Sequence, residues 1–107
     1  MSSEIHLSVT IITKPGKEAE MKALIFDAAK KTEENEPGML KYHFFEQYNA
    51  ENGQNAIIIQ EIYQNQAAYD FHHNTEYYNA SSKVLAELVA EPTDVKKITP
   101  FAGFASR

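Results

Sequence analysis

The run "AIIIQEIYQ", Ala56 to Gln64, limits what this chain can fold into more than any other stretch. In an extended strand its side chains alternate, with Ile57, Ile59, Glu61 and Tyr63 on one face and Ile58, Gln60 and Ile62 on the other. Both faces carry apolar area, so a sheet built on this strand has to be covered on both sides. One layer of helices covers only one of them.

The neighbouring stretches supply the rest of such a sheet. "EIHLSVTIIT" reads as a first strand and stops at a turn marked by Pro15-Gly16. From Lys17 to about Thr32, Met21, Leu24, Ile25, Ala28 and Ala29 recur at helical spacing and predict an amphipathic helix, ended by "ENEPG". "MLKYHFFEQY" is a second strand, with Leu40, Tyr42 and Phe44 on one side and Lys41, His43 and Phe45 on the other. "NAENGQN" reads as the hairpin loop before the third strand. "NQAAYDFHH" predicts a short helix, and "NTEYYNASSKVLAELV" a second helical piece capped by Asn74 or Thr75. "TDVKKITPFAG" is a last strand, weakened by Pro100 and so suited to an edge or strand end.

Strand, helix, two strands, helix, strand is the split β-α-β-β-α-β unit of ferredoxin-like α+β folds. Without repeat or linker, residues 1–107 read as a single domain. The helices of that unit cover one sheet face. A second copy of the chain is the simplest cover for the other, which predicts a homodimer built sheet against sheet.

Charge narrows the partners. Ten basic and fifteen acidic residues give a net charge of −5, with no cationic cluster larger than Lys30-Lys31 or Lys96-Lys97. That argues against nucleic acid and against an anionic membrane surface. The absence of cysteine removes disulfides, thiolate nucleophiles and sulfur-ligated metals. No apolar run is long enough to span a bilayer, and "MSSEIHLSVTIITKPGK" lacks a basic segment before its apolar part. The expected location is cytoplasmic.

The residues that can do chemistry gather in "QEIYQNQAAYDFHHNTEYYN", Gln60 to Asn79. Glu61 and Tyr63 share a face with Ile57 and Ile59, and several placements are open for Glu61: the wet end of the strand, a hydrogen bond to a helix terminus or a partner subunit, or a buried pocket where its pKa rises toward the range of a general base. His72 is the candidate proton acceptor; His73, about 100° further round a helix, is expected at the surface or a subunit contact. His72 and Glu76 are four apart, but the break at Asn74-Thr75 spoils them as a metal pair, so no metal is expected there. His6 and His43 remain a candidate pair if their strands are adjacent. Tyr42, Phe44, Tyr69 and Phe26 are candidates to line a cavity for a flat aromatic or quinoid ligand.

Two segments resemble a known family. "EPGMLKYHFFEQ" is similar to the "EPG-x-L-x-Y" segment of antibiotic biosynthesis monooxygenase domains, and "IIIQEIYQNQAAYDFHHNTEYY" to their "E-x-W … A-x-x-x-H … S-P-H-F" segment. The resemblance, with "KPGKEAE", extends over nearly the whole chain. It implies a ferredoxin-like subunit whose sheets pair into a dimeric α+β barrel, with a pocket between helices and sheet. Several such enzymes oxidise phenols or quinols with dioxygen and neither metal nor flavin. Others degrade haem, and a related branch isomerises or cleaves the phosphorylated autoinducer-2 signal. By this resemblance His72, Glu61 and Tyr63 would be the catalytic group and the cofactor none. The partners would be dioxygen and a small aromatic or quinoid molecule.

Two departures stand out. Tyr63 occupies the usual Trp position, and Tyr77 the position of the second His. Val9 falls where haem-degrading members use Asn, which disfavours haem cleavage. Two alternatives stay open: an isomerase or lyase whose phosphorylated substrate would need Lys41, Lys83 or Lys96, and a non-catalytic ligand-binding dimer.

Overall fold

Alternation along the first strand fixes the inside of the molecule. In β1 (Ile5–Ile12), Ile5, Leu7, Val9 and Ile11 are buried, while His6, Ser8, Thr10 and Ile12 are half-buried on the opposite face. The computed structural model describes residues 3–48, 51 and 56–107. The expected hairpin loop at 49–55 lies, apart from Glu51, outside the described residues.

Lys14 accepts from the Lys17 amide at 3.1 Å across Pro15-Gly16. Gly16 has φ +83°, the left-handed conformation that Pro-Gly turns require at this position. Helix α1 (Glu18–Asn35) follows and buries Met21 of the predicted stripe, together with Thr32 beyond it. It runs three residues past the expected end at Thr32, because Pro37 is the first residue that cannot continue it.

Strand β2 (Met39–Gln47) pairs with β3 (Ala56–Tyr63), β3 with β1, and β1 with β4 (Asp94–Ile98), all antiparallel, in the order β2-β3-β1-β4. Short helices α2 (Gln66–His73) and α3 (Glu76–Leu88) follow β3. Asn65 caps α2 by accepting from the Ala68 amide, and Thr75 caps α3 by accepting from that of Tyr78. Thr75 also donates its hydroxyl to the His72 carbonyl at 2.9 Å, so one side chain closes α2 and opens α3. The chain is a ferredoxin-like α+β subunit with its second helix in two pieces.

The core lies between the helices and one sheet face. Met21, Leu88 and Tyr63 join Ile5, Leu7, Val9, Ile11, Ile57 and Ile59 there, and Leu85, Ala68 and Tyr69 pack around them. The face bearing Ile12, Ile58, Ile62 and Phe45 receives no helix, and Phe45 is 40% exposed. A register shift between Met39 and Lys41 changes the expected start of β2: Met39 packs on the core and Leu40 is 51% exposed rather than sharing the face of Tyr42. Strand β3 lies between β1 and β2, so His6 and His43 are not on adjacent strands and do not form a pair.

Candidate functional site

The turn "EPG" between α1 and β2 sets the site's geometry. The Glu36 amide donates to the Thr32 carbonyl at 2.9 Å and the Glu36 carbonyl accepts from Met39 at 3.0 Å, so the chain reverses with Glu36 turned inward. Gly38 lets α2 come close: a Cβ at this position would sit 2.8 Å from the Ala68 Cβ, well inside contact distance. The Gly38 carbonyl also accepts from the Gln64 amide at 2.8 Å. These contacts dock α2 beside the turn and bring His72 to Glu36.

His72 is 2% exposed, and its Nδ1 stands 2.9 Å from both carboxylate oxygens of Glu36. The Tyr77 hydroxyl donates to the same carboxylate. Burial, then the Glu36 carboxylate, push that hydroxyl up to about 12. With Nδ1 engaged, Nε2 is the nitrogen His72 can offer to the cavity it lines.

That cavity, about 390 Å³, lies between the sheet and the helices. Its floor includes Val9 and Ile59, its wall Leu24 and Ile25 of α1, and its polar end His72 and Glu61. The size suits a small aromatic ligand. Glu61 takes the buried pocket placement, and burial raises its carboxyl pKa. It accepts from the Tyr63 hydroxyl at 2.5 Å. Tyr42, directly across from Glu61 in the register, is also shifted up, chiefly by burial and next by the Glu61 charge.

The expected residues divide by position. His72, Glu61, Tyr42, Phe44 and Tyr69 all line the cavity. Tyr63 is fully buried behind Glu61 and does not line it; its hydroxyl is engaged by the carboxylate, so it supports Glu61 rather than reaching a ligand. Phe26 is 73% exposed and stands apart from the cavity, because one step off the Met21/Leu24/Ile25 stripe turns it to the outer side of α1.

His73 corrects a further expectation. It lines the cavity with His72, their ring centroids 5.3 Å apart. The 100° rule separates neighbours on a helix surrounded by solvent. Here α2 ends at His73, and Tyr69 and Tyr78 hold its ring at 4.1 and 4.7 Å against the same space. Glu36 had no assigned role in the sequence beyond ending a helix. The available signal was its place in the "EPG" segment, and its partner lies 36 residues away.

The profile of the family "Antibiotic biosynthesis monooxygenase" matches residues 5–84, most of the chain. The chain belongs to this family. An uncharacterized Synechocystis protein, sll1783, is 31% identical over 92 residues, covering 86% of this chain and 60% of that protein. The chain thus spans about 60% of the length of that relative. A solved Caulobacter crescentus structure named for the family superimposes with a TM-score of 0.85 at 24% identity, covering 94% of this chain and 92% of that one. One from Bacteroides thetaiotaomicron, also named for it, gives 0.84 at 22%, covering 98% and 97%. At these identities the two structures speak to the fold alone.

The family does not fix the reaction. Among the described residues no group of three or more metal-ligating side chains is assembled, and no helix is long and apolar enough to cross a membrane. Val9 is buried and part of the apolar floor.

Proposed function

We propose that this family member is a small monooxygenase that oxidises a quinol or phenolic aromatic with dioxygen, without a bound cofactor. The observation that carries the proposal is the His72–Glu36 pair at an apolar cavity whose lining includes Tyr42, Phe44, Tyr69 and Tyr78. Nε2 of His72 takes the phenolic proton while Glu36 holds the ring and stabilises the imidazolium. The resulting phenolate is electron-rich enough to pass an electron to dioxygen. A quinol plus dioxygen yields a hydroxyquinone plus water: one oxygen enters the ring and the other leaves as water. The substrate supplies every electron, so the balance needs no external reductant. Glu61, with Tyr42 beside it, stands ready to hydrogen-bond a second oxygen of the substrate.

The uncovered sheet face supports a homodimer, since Ile12, Ile58, Ile62 and Phe45 would otherwise meet water. A phosphorylated substrate is less well supported. Among the described residues no lysine or arginine lines the cavity; Lys83 lies exposed on α3, and Lys41 and Lys96 belong to the helix-free sheet face.

An oxygen electrode and a panel of quinols test the reading. Wild type should consume oxygen and yield a hydroxylated quinone, and His72→Ala should slow turnover by about a hundredfold or more. Turnover unchanged in His72→Ala would remove its role as base.

A further inference from the structure

His73 is a chemically committed group in the same cavity as His72. Its Nδ1 lies 2.7 Å from the Tyr69 carbonyl. A carbonyl oxygen only accepts, so Nδ1 carries the proton and donates. In the neutral ring Nε2 is then a lone-pair acceptor. The ring cannot readily reverse this assignment, because turning it away would strip the Tyr69 contact and leave a half-buried N–H without its partner. His72 is held in the same sense, with Nδ1 on Glu36. The last two residues of α2 thus present two fixed imidazoles to one aromatic space, both packed on Tyr78 at 4.8 and 4.7 Å.

One acceptor serves a ligand with one hydroxyl. Two acceptors favour a ligand that brings two donors, since a single hydroxyl leaves one of them unmatched after its water is displaced. Glu61 also lines the cavity, with one oxygen accepting from Tyr63 and the other facing the ligand space, and it is the same in wild type and in every His73 variant.

We propose that His73 is a specificity-determining residue: a second hydroxyl acceptor beside His72, which selects dihydroxy aromatics over simple phenols. The inference rests on reading the cavity as an aromatic-ligand site. It concerns binding, not oxidation, so its test runs without oxygen.

Anaerobic calorimetry would compare phenol with catechol, resorcinol and hydroquinone. In wild type, the tightest of the three diols should bind about fivefold more strongly than phenol, the worth of one added hydrogen bond. His73→Asn keeps a donor for the Tyr69 carbonyl but has no atom at the Nε2 position; it should lower the ratio at least about twofold, with Glu61 unchanged, while phenol affinity stays nearly constant. His73→Gln, whose amide oxygen can reach that position, should restore most of the preference. Thermal melts check that both variants are folded, and if His73→Asn is not, the His73→Gln ratio decides. A diol preference undiminished in His73→Asn, an equal loss for phenol and diols, or a ratio lost in folded His73→Gln would overturn the assignment. Absence of oxygen uptake would strike the oxidation reading and leave this one standing.

Discussion

Nδ1 of His72 sits 2.9 Å from each carboxylate oxygen of Glu36, with both side chains almost completely excluded from solvent. The carboxylate also accepts from Tyr77, so a single acidic group orients the histidine and occupies a second hydroxyl. A pair this deep is tolerable only while both partners are present.

Removing the acid should therefore cost more than a surface carboxylate would. Glu36→Ala leaves a buried N–H and a hydroxyl without an acceptor and should destabilise the fold by about 3 kcal/mol. Glu36→Gln keeps one accepting oxygen and should cost about 1 kcal/mol, while quinol turnover falls in both. Urea denaturation checks the order; a Glu36→Ala protein as stable as wild type would mean the pair contributes nothing.

Glu61 should show itself in the pH dependence of stability. Burial raises its folded pKa above the unfolded value of about 4.5. The folded state therefore holds the proton to higher pH than the unfolded state, and stability falls as pH rises from about 4.5 through the folded pKa. Glu61→Gln still accepts from Tyr63 but cannot ionise. Its melting temperature relative to wild type should rise across that window and level off above it. A difference independent of pH would place Glu61 in a less buried setting.

Two phenylalanines separate cavity from surface. Phe44 lines the cavity and packs on the core, so Phe44→Ala should cost about 3 kcal/mol and weaken ligand binding. Phe26 is exposed, and Phe26→Ala should stay within about 0.5 kcal/mol of wild type with unchanged binding. Parallel melts and titrations compare them, and a ligand effect from Phe26 would revise the cavity boundary.

The helix-free sheet face should be an interface between two copies. Wild type at micromolar concentration is expected to scatter light as a dimer. Phe45→Glu, which places a charge among Ile58 and its neighbours, should shift it to monomer. A monomeric wild type would leave that apolar face without its proposed partner.

The sequence by itself determined the elements, their order and the inward face of the sheet. Periodicity is local, and the apolar alternation of Ile57, Ile59, Glu61 and Tyr63 already shows which residues point the same way. The break between α2 and α3 was likewise legible at Asn74-Thr75, since capping uses residues a few positions away. What only the tertiary structure decided was which polar groups meet. Glu36 and His72 are brought together by a turn and by the close approach of Gly38 to Ala68, and no local pattern records that distance. The bulge that releases Leu40 is a property of strand pairing, not of the strand alone. The same holds for His73: helical spacing gives its direction around α2, but only the packing of Tyr69 and Tyr78 turns that direction into a wall of the cavity.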